Sequence, residues 1–311
     1  MQYNQYKTYD LTKKRPNVLI LGNGLTRETS LSWAKLIKSI GRTGANISQY
    51  EEQNPDGSFK RFIIPNTILT VATSIINDSA RRKKYSKIFD CDTYPPNAYL
   101  KQLLSLPFDA ILTTNYSYEL ESEIEPKYPC FSQDKKLDFV SISGRKTDPV
   151  YLLHTYNSLA KAPDIWHIHG ELRRPSSIVL THDEYARLVQ KITEYNSARG
   201  RDYVNSKTNL KFLSWVDYFL LGNIYILGLS MDFSEFDLWW LLGRRLREKA
   251  DKGSFIFYEG EKSSELAKQH ALHDVGAQIE TFHIKTDTSA DYALFYQKAI
   301  DDIQSRLYSM K

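Results

Sequence analysis

Four apolar, β-rich runs of the chain each stop at residues that could bind or process a ligand. The endings are Gly22-Asn23-Gly24-Leu25, Thr113-Thr114-Asn115-Tyr116, His169-Gly170 and Gly228-Leu229-Ser230. If the runs are strands of one parallel sheet, their carboxyl ends meet at a single edge, which is where open α/β sheets bind ligands. The pattern therefore predicts one site assembled from four separate parts of the chain.

Asn115 follows its apolar run with a side chain that both donates and accepts hydrogen bonds without titrating. Such an amide can hold a water molecule or a sugar hydroxyl, which makes Asn115 a candidate catalytic residue. The alternative is a structural one, because asparagine at a helix start often caps the free backbone donors.

His169 stands beside Gly170 at a predicted strand end, and His167 lies two residues earlier on the opposite face of the strand. An imidazole has an ordinary pKa near ~6.5, so it can act as acid or base at neutral pH. The position favours His169 for chemistry and His167 for packing. A buried structural histidine is the alternative for His169.

The segment from Gly22 to Thr26 connects a predicted strand to a predicted helix. This context allows backbone N–H groups and the helix dipole to face a pyrophosphate. Arg27 stands where the dinucleotide fingerprint has its third glycine, so a plain β–α connection is an equal alternative.

Ser230 ends the fourth run, where its hydroxyl could bind a phosphate or ribose oxygen, and Asp232 follows it. Asp232 and Ser234 could equally be N-cap residues of the next helix. The Trp239-Trp240 pair is expected to pack that helix against the sheet or another subunit.

The elements that must position these residues alternate between strand and helix. Strands are predicted over residues 17–21, 109–114, 165–169, 224–227, 254–258 and 277–283, and a further strand over 177–180. Helices are predicted over 28–40, 65–89, 183–195, 210–221, 234–250, 262–273 and 289–307, with a polar connection over 196–208. Alternation of this kind indicates an α/β fold with a doubly wound parallel sheet.

We therefore expect one Rossmann-like domain over residues 1–311. Its core comprises about 16–41, 107–125, 150–180 and 222–311, and helical insertions occupy about 42–106 and 181–221.

Composition limits the classes of function. With 311 residues, 41% of them hydrophobic, the chain can bury a full core, and a net charge of +4 gives no argument for direct nucleic-acid binding. No apolar run reaches the ~18 residues that span a bilayer, and the polar N-terminus does not resemble a secretory signal, so a cytoplasmic location is expected. The two cysteines, Cys91 and Cys130, are expected to be free thiols, and two thiols cannot form a four-cysteine zinc site.

Taken in order, the four strand ends resemble the sirtuin-like NAD-binding superfamily, specifically its bacterial branch of NAD hydrolases in antiphage defence. The resemblance runs roughly from Val18 to Gly243, and Leu180-Thr181 with Glu184-Tyr185 also resembles the segment that follows the histidine in that branch. It implies NAD as substrate, no metal, and Asn115 and His169 as catalytic residues. It further implies that NAD is contacted by Gly22, Asn23, Gly24, Leu25, Thr114, Tyr116, Gly228, Ser230 and Asp232.

Two departures from the family pattern refine this expectation. The zinc-binding cysteines of protein deacetylases are absent from the sequence, which disfavours deacetylation. Ser117 occupies the position of an aspartate that contacts the nicotinamide amide in sirtuins, so the expected replacement for that contact is Asn23 or Tyr116.

The resemblance predicts cleavage of the nicotinamide–ribose bond of NAD to give nicotinamide and ADP-ribose, regulated by homo-oligomerisation or by a separate sensor or regulatory chain. A non-catalytic sensor of NAD or an ADP-ribose-like nucleotide is the main alternative. Protein deacylation or ADP-ribosyl transfer is a further one.

Overall fold

The structure is a computed structural model, and it describes most of the chain outside two long segments near the N-terminus. The described residues are 7–26, 51–53, 60–62, 95–124, 138–141, 150, 152–155, 163–172, 174–205, 208–248, 253–260, 266–283 and 289–309. The predicted helices over 28–40 and 65–89, together with Arg27, Cys91 and Cys130, lie outside these residues.

The described residues include twelve strands, most of them short. They are β1 (Thr8–Tyr9), β2 (Asn17–Leu21), β3 (Glu51–Gln53), β4 (Lys60–Phe62), β5 (Ala110–Thr113), β6 (Asp138–Ser141), β7 (Leu152–Thr155), β8 (Asp164–His167), β9 (Leu210–Lys211), β10 (Asn223–Leu227), β11 (Phe255–Gly260) and β12 (Gln278–Phe282).

Seven α-helices accompany these strands within the described ranges. They are α1 (Ala98–Ser105), α2 (Glu119–Ile124), α3 (His182–Asn205), α4 (Trp215–Leu221), α5 (Phe236–Arg247), α6 (Leu266–Asp274) and α7 (Ser289–Ser309). Short 3-10 turns cover Asn23–Thr26 and Pro175–Ser177.

The main sheet has the strand order β12-β11-β10-β2-β5-β8-β7-β6, and its first six strands are parallel. In chain order, these six strands follow the Rossmann arrangement 3-2-1-4-5-6, with the direction of winding reversing between β2 and β10. The predicted α/β doubly wound sheet is therefore confirmed. Strands β7 and β6 extend it with antiparallel pairing at one end.

Alternate residues of the central strands pack into two hydrophobic cores on opposite faces of the sheet. Val18 and Ile20 face the core built with α3, α4 and α5, whereas Leu19 and Leu21 face the core built with α1 and α7. Helices therefore cover both faces, and the β2, β5 and β10 strands carry continuous apolar runs because both of their faces are buried.

Helix α3 differs from prediction because it continues through the polar residues after 195. A buried aspartate explains this extension: Asp217 on α4 accepts hydrogen bonds of 2.6 Å from each of the Tyr195 and Tyr203 hydroxyl groups. Arg199 lies on the same helix face with Nε 3.5 Å from the Asp217 carboxylate. Residues 195, 199 and 203 follow the i, i+4 spacing of one helix face, so a tertiary contact stabilises a segment whose composition suggested a loop.

The same carboxylate sets the start of α4. Asp217 accepts from the backbone N–H groups of Leu213 and Ser214, so α4 begins at Trp215 and the predicted helix start at 210 is wrong. Residues 210 and 211 instead form β9, paired with β1.

The segment predicted as a strand over 177–180 is not one. It ends a 3-10 turn and lies beside the residues that follow β8, where the N–H of Val179 donates to the carbonyl of His169 at 2.8 Å. Helix α3 then begins with a reciprocal cap between Thr181 and Glu184, in which each side chain accepts from the other residue's backbone N–H.

Among the helices in the described ranges, none combines the length and the apolar character required to cross a bilayer.

Candidate functional site

Four neighbouring strands end at the same level of the sheet. The backbone register places Leu227 beside Leu21, Leu21 beside Thr113, and Thr113 beside His167. The residues that follow these four partners therefore emerge side by side at the carboxyl edge of β10, β2, β5 and β8. This arrangement confirms that the four predicted strand ends share one edge.

The glycine turn after β2 makes close contact with the loop after β10. The N–H of Gly22 donates to the carbonyl of Leu227 at 3.2 Å, and that of Gly24 donates to the carbonyl of Gly228 at 2.8 Å. A Cβ at Gly22 would lie 2.4 Å from the Gly228 oxygen, so the glycine is required by close backbone approach. Because both N–H groups already donate to backbone carbonyls, a phosphate at this turn would have to bind other groups.

The side chains of the same turn are also engaged locally. The Asn23 side-chain oxygen accepts from the Thr26 hydroxyl at 2.8 Å, and Leu25 is buried in the core. Leu25 also packs against Gly228, because a Cβ at that glycine would lie 2.6 Å from Leu25 Cδ1.

Asn115 is partly buried two residues beyond the end of β5. Its N–H donates to the Thr113 hydroxyl at 3.1 Å, while Thr114 links β5 to β2 by donating to the Leu21 carbonyl at 3.2 Å. Helix α2 does not begin until Glu119, so the interpretation of Asn115 as a helix cap is wrong.

Tyr116 and Ser117 each make a defined contact beyond Asn115. The Tyr116 hydroxyl donates to the carbonyl of Val179 at 2.7 Å. The Ser117 hydroxyl donates to the carboxylate of Glu119, a buried group whose pKa is raised by desolvation, with the Ser117 hydrogen bond acting against that rise. A carboxylate thus lies against Ser117.

His167 joins β8 to the segment after β5. Its Nδ1 lies 2.7 Å from the backbone oxygen of Asn115, and its Nε2 lies 2.7 Å from the carboxylate of Glu121. Because a backbone carbonyl only accepts, Nδ1 carries the hydrogen there, and Nε2 forms the second hydrogen bond of the ring with Glu121. His167 is a buried structural residue, as predicted, and its contacts are polar.

His169 lies just beyond β8 and is fully buried, with no exposed surface. Its Nε2 is 3.0 Å from the Asp237 carboxylate, and its Nδ1 is 3.6 Å from the Glu235 carboxylate. Burial alone lowers the pKa of His169, but the charge and hydrogen bond of Asp237 and the charge of Glu235 outweigh it, so the pKa is raised above its ordinary value of 6.5. Glu235 and Asp237 are called the acid pair below.

Tyr185 completes the surroundings of the acid pair from helix α3. Its ring meets that of His169 edge to face at 5.3 Å, and its hydroxyl donates to Glu235 at 3.1 Å. Burial raises the pKa of Tyr185, and the charges of Glu235 and Asp237 add to the rise, so the hydroxyl stays protonated as a donor. Desolvation also raises the pKa of Glu235, with the charge of His169 opposing it and that of Asp237 adding to it.

The loop after β10 has an irregular backbone. Gly228 and Met231 have φ values of +67° and +50°, and a left-handed conformation is uncommon for a residue with a side chain. Ser230 between them is exposed. Asp232 is held within the loop, since its carboxylate accepts from the N–H of Ser234 at 2.9 Å.

Helix α5 begins at Phe236, and its N-cap position is Glu235, whose side chain makes no capping bond. The alternative interpretation of Asp232 and Ser234 as N-caps of this helix is therefore wrong. Trp239 packs at the start of the helix, where its indole N–H donates to the carbonyl of Asp232 at 3.2 Å.

Comparison with family models places this geometry in a known context. The model of the SIR2-like domain matches residues 109–277, more than half of the chain. The chain belongs to the SIR2-like family. A search of curated proteins gave no match. SIR2-like domains are typically NAD-dependent enzymes, which connects this family member to NAD chemistry.

The SIR2-like match spans three of the four strand ends, those containing Asn115, His169 and Ser230. Gly22, Asn23, Gly24 and Leu25 precede the matched region, but β2 lies between β10 and β5 and so places them at the same edge.

Two residues of the candidate site were not assigned from the sequence. They are Glu235 and Asp237, which flank Phe236 at the start of α5. The one available signal was the presence of two acidic residues around Phe236, directly after the Gly228-Leu229-Ser230 ending. Nothing in the sequence pairs them with His169, which is 68 positions from Asp237.

His169, Glu235 and Asp237 offer ligand atoms that all lie within 4.8 Å of one another, close enough for a single cation to be considered. The two shortest distances nevertheless use different ring nitrogens, Nε2 toward Asp237 and Nδ1 toward Glu235. A metal ion binds one nitrogen of an imidazole, so two nitrogens that face different carboxylates do not converge on one ion.

A cavity of about 720 Å³ lies at the opposite end of the sheet from this site. Its lining includes Phe108, Asp109 and Pro163, which immediately precede β5 and β8. The chemistry-bearing residues are at the carboxyl ends of those strands, so the cavity is separate from the candidate site.

Proposed function

We propose that this SIR2-like protein hydrolyses NAD at the nicotinamide–ribose bond, giving nicotinamide and ADP-ribose. The observation that carries the proposal is the relation between Asn115 and His169. Each lies two residues beyond a register pair, Thr113 and His167, on adjacent parallel strands, so both emerge at one level of the carboxyl edge. The SIR2-like match supplies the connection to NAD.

The reaction needs little acid catalysis, because the nicotinamide ring nitrogen of NAD is already cationic. The bond between that nitrogen and ribose C1′ breaks, and its electron pair goes to nicotinamide. Water then forms the new bond to C1′ and gives up one proton. The tasks left to the protein are to position the sugar and water, to exclude bulk solvent and to accept that proton.

Asn115 and His169 match these tasks. The Asn115 amide orients the water or a ribose hydroxyl, and the His169 imidazole accepts the proton, a role typically worth about 10²–10⁴-fold in rate. The buried acid pair adds negative charge next to the imidazole, which favours the positive charge that develops on the ribose in the transition state.

The remaining contacts with NAD are assigned to groups at the same edge. Ser230 carries the exposed hydroxyl of the β10 loop, which supports its proposed contact with a ribose or phosphate oxygen. The other proposed contacts are Gly22, Asn23, Gly24, Leu25, Thr114, Tyr116, Gly228 and Asp232.

The full burial of His169 supports the proposal that this activity is regulated. A side chain with no exposed surface meets a substrate only after the residues around it rearrange. We infer that a homo-oligomeric contact or a separate regulatory chain drives that rearrangement. Depletion of cellular NAD on demand fits an effector of antiphage defence in the cytoplasm, where free activity would kill the host.

The test is to incubate purified protein with NAD, alone and with candidate activators, and to measure nicotinamide and ADP-ribose by chromatography. We expect equal amounts of the two products, and expect Asn115→Ala and His169→Ala to abolish them. His273→Ala is the matched control, because that histidine is 82% exposed at the end of α6. Undiminished release by either site variant would refute the assignment.

The same experiment separates the alternatives. Binding of NAD without products, under every activating condition, would favour a nucleotide sensor. Products that form only with an acylated peptide would favour deacylation, and transfer of ADP-ribose to protein would favour a transferase.

A further inference from the structure

His169 is held between groups from two parts of the chain outside its own strand end. Asp237, in the first turn of α5, faces Nε2 at 3.0 Å, and Glu235, just before that helix, faces Nδ1 at 3.6 Å. Tyr185 from α3 packs against the ring and donates to Glu235. These are the titratable groups that face the imidazole in the described part of the chain.

The two nitrogens of His169 are not equivalent. The distance from Nε2 to Asp237 is that of a hydrogen bond, whereas Nδ1 is fully buried and has no hydrogen-bond partner among the described residues. A buried polar atom without a partner is costly, so its presence calls for a reason such as a catalytic role. Nδ1 is therefore the nitrogen toward which a reacting group would be directed.

The position of Asp237 in the fold favours a negative charge. The residue has no exposed surface and lies in the first turn of α5, where free backbone N–H groups and the helix dipole favour an anion. An ionised carboxylate only accepts hydrogen bonds, so the hydrogen between the two groups belongs to Nε2.

We propose that Asp237 is the positioning residue for His169: it accepts the Nε2 hydrogen, fixes the imidazole in the Nε2–H tautomer and leaves Nδ1 to take the proton. The role in catalysis rests on the proposed NAD hydrolysis. In that reaction the proton from water passes to Nδ1, and the resulting imidazolium has a carboxylate facing each nitrogen, Asp237 at Nε2 and Glu235 at Nδ1.

The decisive measurement is nitrogen NMR of the protein with ¹⁵N-labelled histidine. The chain has seven histidines, and the signals of His169 are identified by their loss in His169→Gln. Above the pH at which the ring loses its proton, we expect Nδ1 to show the shift of an unprotonated nitrogen and Nε2 that of a protonated one. The opposite tautomer, or an even mixture, would overturn the proposal without any assay of activity.

Asp237→Asn tests the consequence for the ring and for turnover. Its amide oxygen can still accept from Nε2, but the charge is lost, so the titration midpoint of His169 should move to lower pH. We expect kcat for NAD to fall about 10²-fold, within the range of a general base, with KM little changed because Asp237 touches no substrate. The pH at which kcat/KM rises should fall together with the midpoint.

The matched control is Asp274→Asn, at an aspartate that is 82% exposed at the end of α6. An Asp237→Asn protein with the wild-type midpoint, pH profile and kcat would overturn the proposal. If Asp237→Asn does not fold, the tautomer measured by NMR in the wild-type protein still tests the proposal. If the wild-type protein never turns over NAD, the NMR result separates failure of the proposed function from failure of the positioning role.

Discussion

The backbone oxygen of Asn115 lies 2.7 Å from Nδ1 of His167, so a residue of β8 holds the segment that follows β5. The other nitrogen of His167 is 2.7 Å from the buried carboxylate of Glu121 on α2. One imidazole therefore connects two strand ends and a helix directly behind the candidate catalytic amide.

His167→Ala should destabilise the protein by about 3–5 kcal/mol, because it removes the imidazole that contacts the buried Glu121 carboxylate and the Asn115 carbonyl. Urea unfolding measures this change. Adding Glu121→Gln removes the buried charge that faced the imidazole, so the double variant should be more stable than the sum of the single effects predicts. Simple additivity would show that the two residues are not coupled.

Gly22→Ala should lower both stability and activity. A methyl group there would lie 2.4 Å from the Gly228 oxygen and 2.6 Å from Leu229 Cα, which forces the β2 and β10 loops apart at roughly 1–3 kcal/mol. Gly243→Ala is the control, since a Cβ at that position of α5 meets nothing within 4 Å and should stabilise the helix by about 0.5–1 kcal/mol. Thermal unfolding of both variants provides the comparison, and equal melting temperatures would contradict the proposed close approach.

Stability should fall as the pH rises above neutrality, in part because of His169. Its pKa in the folded protein is raised above 6.5, so its stabilising contribution is fully present below pH ~6.5 and is lost as the pH rises through the raised value. The pKa of Glu235 is also raised by burial, so its contribution to stability is likewise lost as the pH rises above ~4.5.

Urea unfolding at a series of pH values, for the wild type and His169→Gln, isolates the histidine. The free energy of unfolding of the wild type should decrease more steeply above pH ~6.5 than that of His169→Gln. Parallel curves would mean that the acid pair does not raise the pKa of this imidazole.

Asp217→Asn should destabilise the contact between α3 and α4 by about 3–5 kcal/mol, because the buried carboxylate accepts from Tyr195, Tyr203, Leu213 and Ser214. Limited proteolysis should then cut residues 196–205 faster than in the wild type. Asp202→Asn, whose side chain is 50% exposed, should change stability by less than about 0.5 kcal/mol. Similar protection of α3 in both variants would show that Asp217 does not stabilise the end of the helix.

The local pattern of apolar residues was sufficient to predict the central strands. The prediction of residues 17–21 coincides with β2, and those for the strands containing Ile111, Trp166 and Ile226 differ from β5, β8 and β10 by one or two residues at their ends. These strands are buried on both faces, so their composition is uniformly apolar and readily recognised.

Local pattern was misleading where long-range contacts decide the structure. Residues 196–205 are polar enough for a loop, yet Tyr195 and Tyr203 hold them in helix α3 through Asp217. Residues 177–180 have the composition of a strand, but they lie against the His169 segment with a hydrogen bond from Val179 and do not join the sheet.

The sequence by itself determined the α/β alternation, the four strand ends and the choice of Asn115 and His169 as candidates, because apolar runs and the polar residues that end them are local properties. Only the tertiary structure decided that β2 separates β10 from β5, and that Asp237, 68 positions away, faces His169. The physical reason is that the protonation and orientation of a buried imidazole depend on charges brought to it by other elements. Spacing along the chain carries no information about those charges.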